Sequence, residues 1–169
     1  MYDLNKIRSL FPMLNEKTMQ GKPLVFLDNC STTFKPQCVI DAIENYYRDV
    51  TSNSHRGDYD LCYHMDVKVD SVRKTVANFI NSDPREVIFT SGTTDSLNLV
   101  AFSYGLKHLK KDDVILISES EHASNILPWF KVSELTGAKV EFIPLDEEGR
   151  ITPSNVKKVI NNKVKVISI

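Results

Sequence analysis

The sequence predicts an α/β protein built on a mainly parallel sheet with helices on both faces. Two observations support this prediction. Short apolar runs alternate along the chain with amphipathic stretches of helical length. The apolar runs are continuous rather than interrupted at every second residue, which is typical of strands that are covered on both faces in a parallel sheet.

The first half of the chain is predicted to be mostly helical. Residues 1–23 form an N-terminal segment, in which Asp3 caps a short helix and a polar connector follows. A strand is predicted at residues 24–27, and a helix from Pro36 to about Asp49 because its apolar residues share one face. Residues 59–80 predict one long amphipathic helix, since their apolar positions advance by threes and fours.

The second half alternates regularly between strands and helices, as parallel sheets require. Turn-forming sequences such as Asp-Glu-Glu-Gly separate the segments. In order, we predict a strand at 87–90, a helix to about Leu106, a strand at 114–118, a helix from about Asn125 closed by Gly137, a strand at 140–144, a short helix opened by Thr152 and Pro153, and a strand at 164–169.

Composition and charge exclude several classes of protein. Lys plus Arg number 21 and Asp plus Glu number 22, which gives a net charge of −1 and none of the basic surplus of a nucleic-acid binder. No apolar run approaches the roughly 18 residues of a membrane span, and the N-terminus lacks a secretory signal layout. The cysteines Cys30, Cys38 and Cys62 form neither a CxxC pair nor a Cys-His ligand pattern. We therefore predict a cytoplasmic protein without a disulfide framework, a metal site, or a nucleic-acid or membrane partner.

The segment Phe-Thr-Ser-Gly-Thr-Thr-Asp-Ser is the most informative candidate site. It runs from a predicted strand through a turn into a helix, so unpaired N–H groups at the helix start can face an anion. Gly92 allows close approach of the backbone, and Thr93 and Thr94 add hydroxyl donors. The segment matches neither the P-loop nor the GxGxxG pattern. An ordinary capped helix remains the alternative.

Three further positions carry reactive side chains in predicted loops. His122 follows a predicted parallel strand, where an imidazole can stack on a flat cofactor or move a proton; a surface histidine is the alternative. His55 and Arg56 lie in a polar loop where the guanidinium suits a carboxylate or phosphate, and a solvated turn is the alternative. Cys30 is a possible nucleophile, although a small, partly buried thiol is the favoured interpretation.

The order of these segments carries a resemblance. LDN-x-x-TT-x-KP, NSHRG, FTSGTTDSLNLVA and SESEHASNILPW together resemble the pyridoxal-phosphate-dependent cysteine desulfurase and selenocysteine lyase family, of the Suf type within the class V aminotransferase group. The resemblance covers essentially all 169 residues. It implies a fold-type I, aspartate-aminotransferase-like large domain, of which residues 24–169 are an incomplete part. Residues 1–23 are then expected to pack on a small domain that lies outside this sequence.

The resemblance also implies roles for individual residues. The Gly-Thr-Thr turn holds the cofactor phosphate in this family, and the histidine of the EH-x-x-N motif stacks over the pyridine ring and takes part in proton transfer. The HRG loop borders the substrate entrance, and the DN-x-x-TT loop lies near the substrate carboxylate, here with Cys30 and Ser31 where alanines are usual. The implied sites are cofactor binding by Gly92, Thr93, Thr94 and His122, catalysis by His122, and substrate binding by Ser31, His55 and Arg56.

Other parts that the family needs are not matched in this sequence. No Ser-x-His-Lys motif, which would supply the Schiff-base lysine, occurs here, and none of the three cysteines matches the persulfide-forming motif. The resemblance therefore implies the N-terminal part of an enzyme that converts L-cysteine to L-alanine and an enzyme persulfide for iron–sulfur cluster assembly. That enzyme is expected to be a homodimer that passes sulfur to a Suf-system acceptor protein, whereas the isolated chain is expected to be inactive. A selenocysteine lyase, another class V aminotransferase-like enzyme and a non-catalytic phosphate-binding module remain alternatives.

Overall fold

The computed structural model describes residues 2–18 and 20–169. It divides into two compact units, Met1–Val87 and Ile88–Ile169. None of the helices described combines the length and the apolar character that crossing a bilayer requires. The domain boundary predicted after residue 23 does not coincide with this division and stays a prediction.

The first unit contains the three helices predicted from the sequence. Asp3 caps the first of them by accepting a hydrogen bond from the Lys6 N–H at 3.1 Å, as expected from its position. The third ends where Asn81 adopts a left-handed conformation, a common way to close a helix. Their bounds are α1 Leu4–Ser9, α2 Gln37–Asn45, which continues into a π-helical turn at Tyr46–Val50, and α3 Asp60–Ile80.

Two predicted strands, at residues 24–27 and 87–90, are wrong. Both segments lack regular secondary structure. Leu27 is 89% exposed and Ile88 is 69% exposed. An apolar run becomes a strand only where another strand lies alongside and pairs with its backbone, and the three described strands pair with one another instead.

The second unit follows the predicted alternation closely. The strand predictions at 114–118, 140–144 and 164–169 are confirmed to within a residue or so at each end. The helix predicted to run to Leu106 forms with a π-helical turn at Ala101–Gly105 inside it. The elements are α4 Thr93–Val100, α5 Leu106–His108, β1 Val114–Ser118, α6 Ala123–Thr136, β2 Lys139–Ile143, α7 Pro153–Val159 and β3 Val164–Ser168.

The three strands form a parallel sheet in the order β2-β1-β3. All five residues of the central strand β1 are buried. Ile115 and Ile117 pack on one side in a cluster with Trp129 of α6, and Leu116 packs on the other side in a cluster with Val156 of α7. Each fully buried aliphatic side chain stabilises the fold by about 1.5–3 kcal/mol. The predicted parallel sheet with helices on both faces is confirmed.

Candidate cofactor-binding site

The predicted phosphate-binding turn, residues 92–94, which we call the phosphate turn, is open at the start of α4. Gly92 has φ of 157° and ψ of 176°, a combination that residues with a side chain rarely adopt, and nothing lies within 4 Å of a β-carbon added there. No side chain caps α4. Thr93 and Thr94 are exposed, and their hydroxyls have no partner among the described residues. Backbone N–H groups and two hydroxyls are therefore free to meet an anion.

Hydrogen bonds on either side of the phosphate turn fix its backbone. The Ser91 N–H and hydroxyl both donate to the Asp95 carboxylate, at 3.3 and 3.2 Å. The Thr90 and Ser96 hydroxyls lie 2.7 Å apart. The turn is thus held before and after the glycine, so that binding an anion does not require the loop to be ordered first.

His122 forms the N-cap of α6. Its Nδ1 accepts a hydrogen bond from the Ser124 N–H at 3.2 Å and lies 2.8 Å from the Ser124 hydroxyl. Because Nδ1 is used as an acceptor, the neutral imidazole carries its hydrogen on Nε2. The helix predicted from about Asn125 therefore begins two residues earlier, at Ala123, because the His122 ring nitrogen accepts a hydrogen bond from an N–H of its first turn.

A partly buried hydrogen-bonded network lies beside His122 in the sequence, at the ends of two strands. The Glu121 carboxylate accepts from the Ser118 hydroxyl at 2.7 Å and from the Asn125 amide at 2.9 Å. The Ser168 hydroxyl donates to Asn125 Oδ1 at 2.6 Å. We call these four residues the strand-end network, since Ser118 and Ser168 end β1 and β3. It fixes the first turn of α6, and with it the position of His122, against the sheet.

Sequence reasoning missed the strand-end network. Ser118 is fully buried and Asn125 is 6% exposed. The available signal was a serine at the last position of the apolar strand Val-Ile-Leu-Ile-Ser, at Ser118. A polar residue that is buried at such a position needs a hydrogen-bond partner, and for Ser118 the partner is Glu121.

Thr94 of the phosphate turn and Ser124 of α6 line one groove. The groove has a volume of about 280 Å³ and lies between α4 and α6. The structure therefore brings the turn and the segment that carries His122 side by side within the second unit. The resemblance implies that the turn and His122 bind the same cofactor, and their closeness within the second unit agrees with that expectation.

The predicted substrate-binding residues lie in the first unit. Ser31 is exposed in a turn, where its N–H donates to the Asp28 carbonyl at 3.2 Å. His55 has a positive φ of 61° and donates its N–H to Asp66 Oδ1 at 2.6 Å. Arg56 is exposed and has no partner among the described residues. Their contribution to the same site as His122 stays a prediction.

The cysteines differ from the expectation in one respect. Cys30 was expected to be a partly buried thiol, but it is exposed. Its loop is a surface turn, in which the Thr32 N–H donates to the Asp28 carbonyl, so little of the chain covers the thiol. Cys62 is fully buried and donates to the Asn53 carbonyl at 2.8 Å. In the part of the chain that the structure describes, no three His, Cys, Asp or Glu side chains are grouped to hold a metal ion.

Known proteins resemble this chain over nearly its whole length. The family model described as Aminotransferase class-V matches residues 25–169. A probable cysteine desulfurase of Halalkalibacterium halodurans is 42% identical over 166 residues, which cover 98% of this chain and 41% of that protein. The chain therefore spans about two fifths of the length of this curated relative.

Solved structures share the fold. The apo structure of a cysteine desulfurase from Thermococcus onnurineus matches with a TM-score of 0.87 and 34% identity, covering 99% of this chain and 40% of that one. A mutant of the protein C-DES, with glycine covalently linked to its pyridoxal phosphate cofactor, matches with a TM-score of 0.76 over 95% of this chain and 39% of that one. At 20% identity the second likeness shows the fold alone.

Proposed function

Because the chain belongs to the class V aminotransferase family, we propose that it forms the N-terminal part of a cysteine desulfurase that uses pyridoxal 5′-phosphate. The reaction converts L-cysteine and an enzyme thiol to L-alanine and an enzyme persulfide. The relatives named above as cysteine desulfurases support this assignment. The observation that carries it is the open phosphate turn beside the segment that positions His122.

The residues of the phosphate turn fit a phosphate group. Gly92 leaves open space where a side chain would stand, and the first turn of α4 offers unpaired N–H groups together with the positive end of the helix dipole. Thr93 and Thr94 add hydroxyl donors that no other described residue uses. We assign these three residues to the cofactor phosphate, where each hydrogen bond to the charged oxygens contributes about 1.5–3 kcal/mol.

His122 is the catalytic residue that we assign. The bonds from Ser124 to Nδ1 fix the ring and leave Nε2–H to donate or exchange a proton. The exposed ring offers a face on which a flat pyridine ring can stack. When bound, pyridoxal phosphate supplies an electron sink for the carbanion chemistry of the substrate. His122 orients that ring and handles the proton, while Arg56, His55 and Ser31 receive the substrate carboxylate.

Several wider features belong to the same proposal. The sulfur passes to an acceptor protein of the Suf system for iron–sulfur cluster assembly, and the complete enzyme is a cytoplasmic homodimer. Residues 24–169 contribute to the large cofactor-binding domain, and residues 1–23 to its junction with a small domain. Because the sequence has no Ser-x-His-Lys motif, the isolated 169 residues do not turn over L-cysteine.

Cofactor binding by the isolated chain tests the phosphate assignment. We expect the chain to bind pyridoxal phosphate more tightly than pyridoxal, because only the former carries the phosphate. The Thr93→Ala/Thr94→Ala double variant should lose about tenfold or more of the affinity for pyridoxal phosphate per hydroxyl removed, and little of the affinity for pyridoxal. Thr75→Ala is a matched control on α3, where the hydroxyl donates to the Ser71 carbonyl of the same helix. Equal affinity of the double variant and the wild type for pyridoxal phosphate contradicts the assignment.

Sulfide release by the complete enzyme tests the activity. We expect sulfide and L-alanine in equal amounts from L-cysteine in the presence of a reductant, which releases the persulfide sulfur. His122→Ala should lower kcat and shift the visible absorbance of the cofactor, because the stacked ring is removed. No alanine from L-cysteine, or an unaltered spectrum and kcat in His122→Ala, counts against the proposal.

A further inference from the structure

The loop of residues 52–57 is attached to α3 by hydrogen bonds that involve side chains of both the loop and the helix. This loop contains the HRG sequence, and it is exposed except for its contacts with the start of the helix. Three hydrogen bonds make the attachment: Ser52 Oγ to the Leu61 carbonyl at 3.0 Å, Cys62 Sγ to the Asn53 carbonyl at 2.8 Å, and the His55 N–H to Asp66 Oδ1 at 2.6 Å.

His55 sits in a backbone conformation that needs support. Its φ of 61° lies in the left-handed region, which is unfavourable for residues other than glycine. Asp66 supplies the support in two ways, since its Oδ1 accepts the His55 N–H and also lies 3.4 Å from the imidazole Nδ1. The Asp66 side chain is 29% exposed and that of His55 is 59% exposed. The carboxylate is thus the less solvated partner.

The residue after Arg56 is equally constrained. A β-carbon added to Gly57 would lie 2.5 Å from the Tyr59 ring and 3.1 Å from the Cys62 sulfur, so a side chain here would have to displace the Tyr59 ring. Arg56 is held between these two fixed positions. Its exposed guanidinium has no partner among the described residues. The loop therefore presents an unpaired cation from a backbone that is already ordered.

We propose that Asp66 is a positioning residue, which holds His55 and Arg56 in the conformation that receives the substrate carboxylate. This inference rests on the proposed function of the loop. Asp66 itself does not contact the substrate; it acts through the backbone of His55. An ordered loop favours binding, because less conformational freedom is lost when the carboxylate engages Arg56.

Hydrogen exchange of the His55 amide in the chain tests the attachment directly. Asp66→Leu removes the acceptor, and we expect exchange about 10- to 100-fold faster, the factor that corresponds to a lost hydrogen bond to a charged group. Asp66→Asn keeps an acceptor oxygen and should retain most of the protection. Asp70→Leu, one turn further along α3, removes a carboxylate that does not contact the loop and should leave the exchange unchanged. Unaltered exchange in Asp66→Leu overturns the proposal.

Kinetics of the complete enzyme test the positioning role. Asp66→Leu should raise KM for L-cysteine about tenfold with kcat nearly unchanged, and Asp66→Asn should restore KM. Faster exchange without any change in KM overturns the positioning role. If the enzyme does not act on L-cysteine at all, the proposed function fails, while the exchange measurement still decides whether Asp66 holds the loop. If Asp66→Leu does not fold, Asp66→Ser, whose side chain is too short to reach the loop, takes its place.

Discussion

Truncating Asn125 to alanine tests the strand-end network. The Asn125 side chain is almost fully buried and bonds to both Glu121 and Ser168. Its amide donates to Glu121 at 2.9 Å, and its Oδ1 accepts from Ser168 at 2.6 Å. In Asn125→Ala, Glu121 keeps its bond from Ser118, whereas the Ser168 hydroxyl loses its only acceptor among the described residues.

The expected cost follows from the two bonds lost. A hydrogen bond between neutral groups contributes about 0.5–1.5 kcal/mol, and one to a charged group about 1.5–3 kcal/mol. The sum is about 2–4.5 kcal/mol. Glu121 is only half-buried, so water replaces part of its lost bond. We therefore expect the free energy of unfolding to fall by about 2–3 kcal/mol.

Urea unfolding followed by tryptophan fluorescence measures this change. Trp129 is the only tryptophan in the sequence, is 2% exposed and lies on α6 with Asn125. Asn162→Ala is the control, because that exposed side chain makes no hydrogen bond among the described residues; it should change the stability by less than about 0.5 kcal/mol. A loss below about 0.5 kcal/mol in Asn125→Ala refutes the reasoning. If that variant does not fold, Ser168→Ala removes one bond only and should cost about 0.5–1.5 kcal/mol.

Two further predictions concern the end of α6 and the start of β2. Gly137→Ala should destabilise the chain by about 1–2 kcal/mol, because a β-carbon is unfavourable at φ of 78°; an unchanged urea midpoint contradicts this, and Gly137→Asn should lose less. The Lys139 ammonium lies 2.9 Å from Asp112 and, chiefly by this hydrogen bond, holds the pKa of Asp112 below its usual value. A depressed folded-state pKa means that the stabilisation is present above about pH 4 and is lost as the pH falls through the folded pKa. The difference in urea midpoint between wild type and Lys139→Met should therefore shrink below pH 4, and a constant difference would show that the pair does not titrate with folding.

Local sequence predicted the sheet well where a partner strand exists. The apolar run at 114–118 forms the central strand, while the equally apolar runs at 24–27 and 87–90 do not form strands. The local patterns are alike. The difference is pairing, since Val114 meets Lys139 on one side and Val164 fifty residues away on the other. A local hydrophobic pattern does not predict which distant strand will pair with it.

In the candidate site, too, features formed by consecutive residues were predictable and contacts between distant residues were not. The phosphate turn was predictable because its glycine and hydroxyls are consecutive in the sequence. The hydrogen bond from Ser168 to Asn125 joins residues 43 positions apart. The hydrogen bond from the His55 N–H to Asp66 joins residues 11 positions apart. The cap of α6 depends on the direction of the His122 ring rather than on composition. Each of these contacts depends on how the backbone turns.

The strand order of the sheet explains why His122 lies where it does. From β1 the chain moves outward through α6 to β2, and then returns across β1 through α7 to β3. The strand β1 therefore lies between β2 and β3, and the segment that carries His122 leaves the sheet at the carboxyl end of this central strand. The carboxyl ends of parallel strands are where open α/β sheets bind ligands. Ser168 ends the neighbouring β3 at the same edge, so that Asn125 of α6 can bond to it. Because the route of the chain sets this edge, its side chains can be replaced while the edge itself stays in place.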